Sequence, residues 1–324
     1  MNDSKTNIIL ETDIGNDIDD VLALMMLHTL SSQGYCNLLG VSINKSNIYS
    51  AIFTDIINTF YGRSEIPVGV IDDGFCAYDG KFMRPIIDAM AGGCCKYPRN
   101  PESPACYYDS ANLLRKLLAE SEDESVSIVS IGLLTNLARL LVSGPDGYSE
   151  LNGLELFRRK VKLVSCMGGN FTQEALATAD SSFAEFNIVE DVQSAKYFIR
   201  NCPSEIVFSG WEIGTRILYP VESILNDFKW ADSHPGAEAY KIFKPMPYDR
   251  PLWDLTSALY AVFPDIYFGL SGRGVVDVNE DGVTTFKESA YGRHRYLILL
   301  EDSVDVLKEL FVKLCSQRIH SYNL

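Results

Sequence analysis

The sequence predicts an α/β fold: an open, mostly parallel, doubly wound sheet flanked by helices, in one domain (residues 1–324) that closes with a C-terminal hairpin and helix. Three observations predict it. Short apolar runs of strand type alternate with helical patterns over the first two thirds of the chain, the rhythm of right-handed βαβ crossovers. The first run, Ile8-Ile9-Leu10, breaks at Gly15-Asn16 and feeds directly into the helical pattern 21–27, as a buried parallel strand feeds its crossover helix. No repeat, low-complexity tract or flexible linker divides the 324 residues, a length at which α/β folds are commonly undivided.

In order, a second strand is expected over 37–44, a helix over 48–61 and a third strand over 66–71. Residues 72–107 break the rhythm with Gly, Pro and Cys, and a loop of that length is usually functional or mobile. A helix opens at Ser110, a strand covers 126–131, and Gly132 leads into a helix at Leu134. The strand at 161–167 ends in Gly168-Gly169; a polar loop reaches Asn187, followed by a helix over 191–201 and a strand over 205–209. Prolines 220, 235, 245, 247 and 251 interrupt a partly helical stretch, and Trp253 starts another helix. A hairpin near 274–286, a strand near 295–300 and a final amphipathic helix complete the chain.

Composition sets the outer bounds. A hydrophobic content of 47% is ample for a large core, and a net charge of −15 argues against nucleic acid, whose phosphates are neutralised by Lys and Arg. The eight cysteines show no zinc or redox spacing. Cys36, Cys166 and Cys202 read as reduced core residues, whereas Cys76, Cys94, Cys95 and Cys106 share one loop-rich segment in which a disulfide is possible. The N-terminus carries no apolar signal region and no stretch is apolar enough to span a bilayer, so a cytoplasmic protein without a membrane partner is expected.

The chemistry concentrates after the first strand. Asp13, Asp17, Asp19 and Asp20 fall within eight residues, at the carboxyl edge of the sheet where open α/β folds keep their ligands. Carboxylates so close stay ionised together only when a cation holds them, and oxygen ligands select Ca²⁺ or Mg²⁺.

The stretch Glu11-Thr12-Asp13-Ile14-Gly15-Asn16-Asp17-Ile18-Asp19-Asp20 resembles the Asp-x-Asp-Pro-Gly-x-Asp-Asp signature of inosine–uridine type nucleoside hydrolases. Further motifs follow in family order. Gly132-Leu133-Leu134-Thr135-Asn136 resembles the turn whose preceding carbonyl, here that of Ile131, ligates calcium. Met167-Gly168-Gly169 with Ala184-Glu185-Phe186-Asn187 resembles the ribose-binding motif, and Trp253-Asp254 the last calcium motif. The resemblance spans roughly residues 7–263. It implies hydrolysis of a nucleoside, or a related N-ribosyl compound, by a Ca²⁺-bound water. Asp13 would be the general base and a metal ligand, with Asp20, Asp254 and the Ile131 carbonyl as further ligands. Asp19, Asn44, Glu185, Asn187 and Trp253 would contact the substrate. A homo-dimer or homo-tetramer is also implied.

The sequence departs from the family pattern at several points. Glu11 stands where the family has its first Asp, and Ile14 replaces the proline. Three residues, not one, separate Gly15 from the Asp19-Asp20 pair, so Asp17 competes with Asp19 or Asp20 for a role. Trp253 precedes Asp254 where several purine-cleaving members carry a His, a candidate proton donor to the departing base, and Ala179, beside Asp180, stands where the family has an Asn. His294 reads as a surface residue. The segment from Asp277 to Glu288 fits an EF-hand loop, but its flanks are glycine-broken and β-branched, and Asp281-Gly282 suits a hairpin turn. Two alternatives stand beside hydrolysis: a non-catalytic ribose-binding relative, and an aspartate-dependent phosphatase, whose nucleophile position Glu11 would spoil.

Overall fold

The computed structural model describes residues 5–103, 106–177 and 183–318. Eleven strands form the main sheet among them: β1 (Thr6–Thr12), β2 (Cys36–Lys45), β3 (Val68–Phe75), β4 (Tyr108–Asp109), β5 (Val126–Ser130), β6 (Val161–Met167), β7 (Glu205–Ser209), β8 (Gly269–Leu270), β9 (Gly274–Val278), β10 (Thr284–Glu288) and β11 (His294–Ile298). Their order is β10-β9-β11-β7-β6-β5-β1-β2-β3-β4, with β8 beside β11. From β4 to β11 every neighbouring pair is parallel; β8, β9 and β10 add antiparallel edges. The doubly wound sheet with a C-terminal hairpin and helix is thus present.

The chain runs outward from β1 through β2, β3 and β4, then returns to the other side of β1 with β5. The β1/β5 boundary is therefore the switch point, where loops leave in opposite directions and open a crevice at the strands' carboxyl ends. One apolar layer packs the helices Asp19–Ser32, Ile48–Phe60, Trp253–Val262 and Val304–Ser316 on one face. A second layer packs Ser110–Glu120, Thr135–Val142, Gly153–Lys160 and Val192–Asn201 on the other. Helix Asp19–Ser32 is buried from Asp19 through Leu30; its apolar residues show no single stripe because neighbours cover it on all sides.

Several local expectations are corrected. β3 runs past residue 71 to Phe75, because its end pairs with Lys45 of β2. Residues 72–107 carry a short helix, Met83–Ile87, and a ribbon of Met90–Ala91 with Cys94–Cys95. Helix Gly153–Lys160 went unread because it buries only Gly153, Leu156 and Phe157; its start is capped by Asn152, whose Oδ1 accepts the Glu155 amide at 2.9 Å. The hairpin expected of the EF-hand-like segment is present as β9–β10: Asn279 Oδ1 accepts the Asp281 and Val283 amides, and Gly282 has φ +80°. His294 is buried, not exposed, its Nδ1 accepting the Val276 amide at 2.8 Å. All eight cysteines are free thiols. Among the described residues, no helix is long and apolar enough to cross a membrane.

Candidate active site

Where β1 ends, Asp13 begins a turn that glycine makes possible. Gly15 has φ +112°, and a Cβ there would lie 2.5 Å from Met83 Sδ. The Asn16 amide donates to the Asp13 carbonyl at 3.2 Å, and Ser50 Oγ holds the Ile14 carbonyl at 2.7 Å. The chain then enters helix Asp19–Ser32 with Asp19 and Asp20 in its first turn, the end whose dipole favours negative charge. Asp254 occupies the same position in helix Trp253–Val262. Asp19 joins the two helices: its Oδ2 accepts the amides of Trp253 and Asp254 at 3.1 and 3.2 Å.

On the other side of the switch point, the Ile131 amide donates to the Glu11 carbonyl at 2.8 Å and the Leu133 amide to Asn44 Oδ1 at 3.1 Å. Gly132 between them is tightly confined, since a Cβ would lie 2.5 Å from the Asp13 amide nitrogen and from Asn44 Oδ1. After β6, Glu185 caps helix Phe186–Val189, its Oε1 accepting the Asn187 amide at 3.1 Å and its Oε2 the Gly169 amide at 3.4 Å. Asn187 Nδ2 donates to the Met167 carbonyl at 3.3 Å.

These ends surround one cavity of about 420 Å³, within the usual range for small-molecule sites. Asp13, Asp19, Asp20, Ile131, Glu185, Asn187, Trp253 and Asp254 all border it. Asn44 does not: it is fully buried behind the wall, with Nδ2 donating to Glu11 Oε2 at 3.1 Å. Asn44, expected to contact substrate, thus holds the Glu11 carboxylate and the 131–134 turn from behind the cavity. Glu11 likewise stands behind the cavity; it also accepts from Asn136 Nδ2 at 3.3 Å, and burial pushes its pKa up to about 8. Ala179 and Asp180 lie outside the described residues.

Ligand oxygens of Asp19, Asp20 and Asp254 lie within 4.8 Å of one another, all three side chains buried. Asp19 thus lies with Asp20 and Asp254 in this cluster, and Asp13, which the resemblance makes a ligand, borders the same cavity. The amides of residues 253 and 254 hold Asp19 against Asp254, whereas Asn16 Nδ2 engages Asp13 Oδ2 at 2.6 Å. Burial, then repulsion from Asp13 and Asp19, holds Asp20 well above the ordinary carboxylate range. Burial and repulsion from Asp19, Asp20, Asp13 and Glu185 do the same to Asp254. Asp19 and Glu185 are each pushed by burial to about 7. Asp13 is also raised by burial, although Asn16 and Lys45 pull it down. Such a nest of desolvated carboxylates is a fitting donor set for a hard divalent cation, whose charge offsets the burial and the repulsion that otherwise favour their protonated forms.

Other residues of the site went unread because no local pattern marks them. Lys45 is fully buried; its ammonium bonds Asn16 Oδ1 and sits 4.1 Å from the Tyr78 ring centroid. Asp17 competes for no position in the carboxylate cluster, because Arg250 engages it through both Nε, at 2.8 Å, and Nη2. Tyr78, Phe183, Trp211 and Arg250 also border the cavity. Of these, only Trp211 could have been found, since it follows β7 directly and strand ends in such sheets face the ligand. Trp253 is pinned by its indole N–H, which donates to the Trp211 carbonyl at 2.9 Å and to Thr215 Oγ1 at 3.1 Å.

Residues 8–307 match the family model described as inosine-uridine preferring nucleoside hydrolase. No curated protein matches the chain. Solved structures with the same fold include the inosine-uridine preferring nucleoside hydrolase from Bacillus anthracis, at 18% identity and TM-score 0.69, covering 96% of this chain and 99% of that one. The purine-preferring ribonucleoside hydrolase from Gardnerella vaginalis gives 16% identity, TM-score 0.70 and coverage of 96% and 98%. The type III effector XopQ, complexed with adenosine diphosphate ribose, gives 16%, 0.67 and coverage of 96% and 94%. At these identities the three structures speak for the fold.

Proposed function

The chain belongs to the inosine-uridine preferring nucleoside hydrolase family of N-glycosyl hydrolases, and from that premise we propose that it cleaves the N-glycosidic bond of a ribonucleoside, or a related N-ribosyl compound, with Asp13 as the base. One observation supports this most: a single cavity at the sheet's switch point brings buried Asp13, Asp19, Asp20 and Asp254 together with Glu185 and Asn187.

In this reading Asp13, Asp20, Asp254 and the Ile131 carbonyl would hold Ca²⁺, with Asp19 close by. The ion supplies positive charge that keeps these carboxylates ionised and makes a water more acidic. Asp13 takes the proton of the attacking water, its carboxylate steadied by Asn16 at 2.6 Å. Asp19 Oδ2 is engaged by two amides, which leaves its other oxygen for a ribose hydroxyl. Glu185 and Asn187 offer further acceptors to the sugar's hydroxyls. As the bond to the base stretches, the ribose acquires oxocarbenium character, and the carboxylates around it stabilise that charge. Trp253, pinned through its indole N–H, presents an aromatic wall to the substrate.

Release of free ribose from a panel of purine and pyrimidine nucleosides, assayed as reducing sugar, tests this directly. Ribose release from at least one member that disappears with chelation is expected; calorimetric binding of a ribose analogue without any release would establish a binding protein instead. The family resemblance also supports a cytoplasmic homo-dimer or homo-tetramer, which light scattering would reject by finding a monomer at working concentration.

A further inference from the structure

We propose that Arg250, clasped by Asp17, stabilises the base as it leaves. The inference rests on the hydrolase reading above and supplies the half which that reading leaves open, the fate of the departing base. Arg250 borders the cavity beside Asp17, Trp211 and Trp253. Asp17 exists because the β1 turn is two residues longer than the family signature, and its carboxylate engages Nε and Nη2 of Arg250. Among the described residues Nη1 has no partner, so a planar, permanently charged donor remains.

The guanidinium is also held in place from other directions. It lies 4.9 Å from the Trp253 ring and 5.3 Å from that of Phe243. Trp253 is itself fixed by Trp211 and Thr215, and the Arg250 backbone pairs with Tyr219 in a short ribbon. The Arg250 side chain is 14% exposed and that of Asp17 27%. A charge held in this way and partly desolvated needs little reorganisation when negative charge develops in the cavity it borders.

The chemistry balances without another reactant. The C1′–N bond breaks and its electron pair goes to the base nitrogen. The water oxygen bonds to C1′, one water proton passes to Asp13, and Nη1–H donates to the anionic base. That base later takes a proton from solvent, as Asp13 returns its own. The substrates implied are nucleosides whose base presents an acceptor, such as a ring nitrogen or a carbonyl oxygen, to the guanidinium.

The test compares kcat and KM on two ribosides: inosine or uridine, whose base is a poor leaving group, and p-nitrophenyl riboside, whose phenolate leaves readily. Wild type, Arg250→Gln, Arg250→Lys and Asp17→Asn are measured. Arg250→Gln should lose about 10²-fold in kcat on the nucleoside and at least about tenfold less on the aryl riboside, with KM for both moving less than kcat. Asp17→Asn should show the same selectivity at smaller amplitude, and Arg250→Lys should restore little, because an ammonium cannot keep both contacts to Asp17. Calorimetric binding of free ribose to each variant confirms an intact site. Equal losses on both substrates, or none, overturn the role of Arg250. A wild type that releases ribose from no member of the nucleoside panel and not from the aryl riboside overturns the hydrolase reading itself, and the inference with it.

Discussion

Asp13 and Asp17 lie four residues apart, and the structure gives them opposite company. Asp13 faces the carboxylate nest and is steadied by Asn16; Asp17 faces Arg250. In Asp13→Asn, the amide oxygen can still accept from Asn16 but cannot take a proton. Loss of a positioned base lowers kcat about 10²–10⁴-fold, while binding of a non-hydrolysable ribose analogue should persist because Asp19, Glu185 and Asn187 are untouched. Steady-state kinetics and calorimetry on this variant check both halves; near-normal turnover would remove Asp13 from the role. The residues of the site that a sequence can show are those in motifs, such as Asp19-Asp20 and Glu185-Phe186-Asn187. Lys45 and Arg250 could not be read there, because a buried lysine and a clasped arginine acquire their meaning only from partners 29 and 233 residues away.

Among the elements, the turns fix the site more than the helices do. Gly132→Ala tests this at the switch point: its Cβ would meet the Asp13 amide nitrogen at 2.5 Å, a backbone atom that cannot swing aside. Overpacking of this kind typically destabilises by about 1–3 kcal/mol, and it should weaken metal binding too, since Ile131 and Asp13 are both displaced. Thermal melts together with a calcium titration measure the two effects; a variant as stable as wild type with unchanged affinity would contradict the argument. The β9–β10 hairpin supplies a contrasting case. Asp277 lies on a strand, paired with Thr285, and is not arranged as a calcium loop, so Asp277→Asn should leave turnover and bound calcium unchanged by steady-state assay and metal analysis. Strand positions were legible because β1, β5, β6 and β7 each carry a short apolar run, Ile8-Ile9-Leu10, Ile128-Val129, Leu163-Val164 and Ile206-Val207-Phe208, of the kind a central parallel strand buries. Helix Gly153–Lys160 was not, because it is only eight residues long and four of them, Glu155, Arg158, Arg159 and Lys160, are charged, so its apolar content is too small to stand out.

At the scale of the whole molecule, the winding of the sheet gathers carboxylates from residues 13, 19, 20, 185 and 254 into one buried crevice, and that concentration of charge must show in the pH dependence of stability. Glu11 titrates near 8, and Asp19 and Glu185 near 7, all raised by burial, against unfolded values of about 3.9–4.3. Between those limits the folded chain binds protons that the unfolded chain has released, so stability falls as pH rises, with a slope approaching about 1.4 kcal/mol per pH unit for each such group. The buried histidines act in a different window: His28 and His234 are lowered to about 3 and His294 to about 4, so they stay neutral in both states above about pH 6.5. Below that value the unfolded histidines take up protons first, and their contribution opposes the carboxylates'. With chelator present, Tm should therefore rise as pH is lowered from 8 to 6.5, and the rise should weaken on further acidification. With saturating Ca²⁺ the ion supplies the compensating charge, and the slope between pH 8 and 6.5 should flatten. Melting curves at half-unit pH steps, with chelator and with Ca²⁺, decide it: an identical slope in both conditions would mean that no cation sits among these carboxylates.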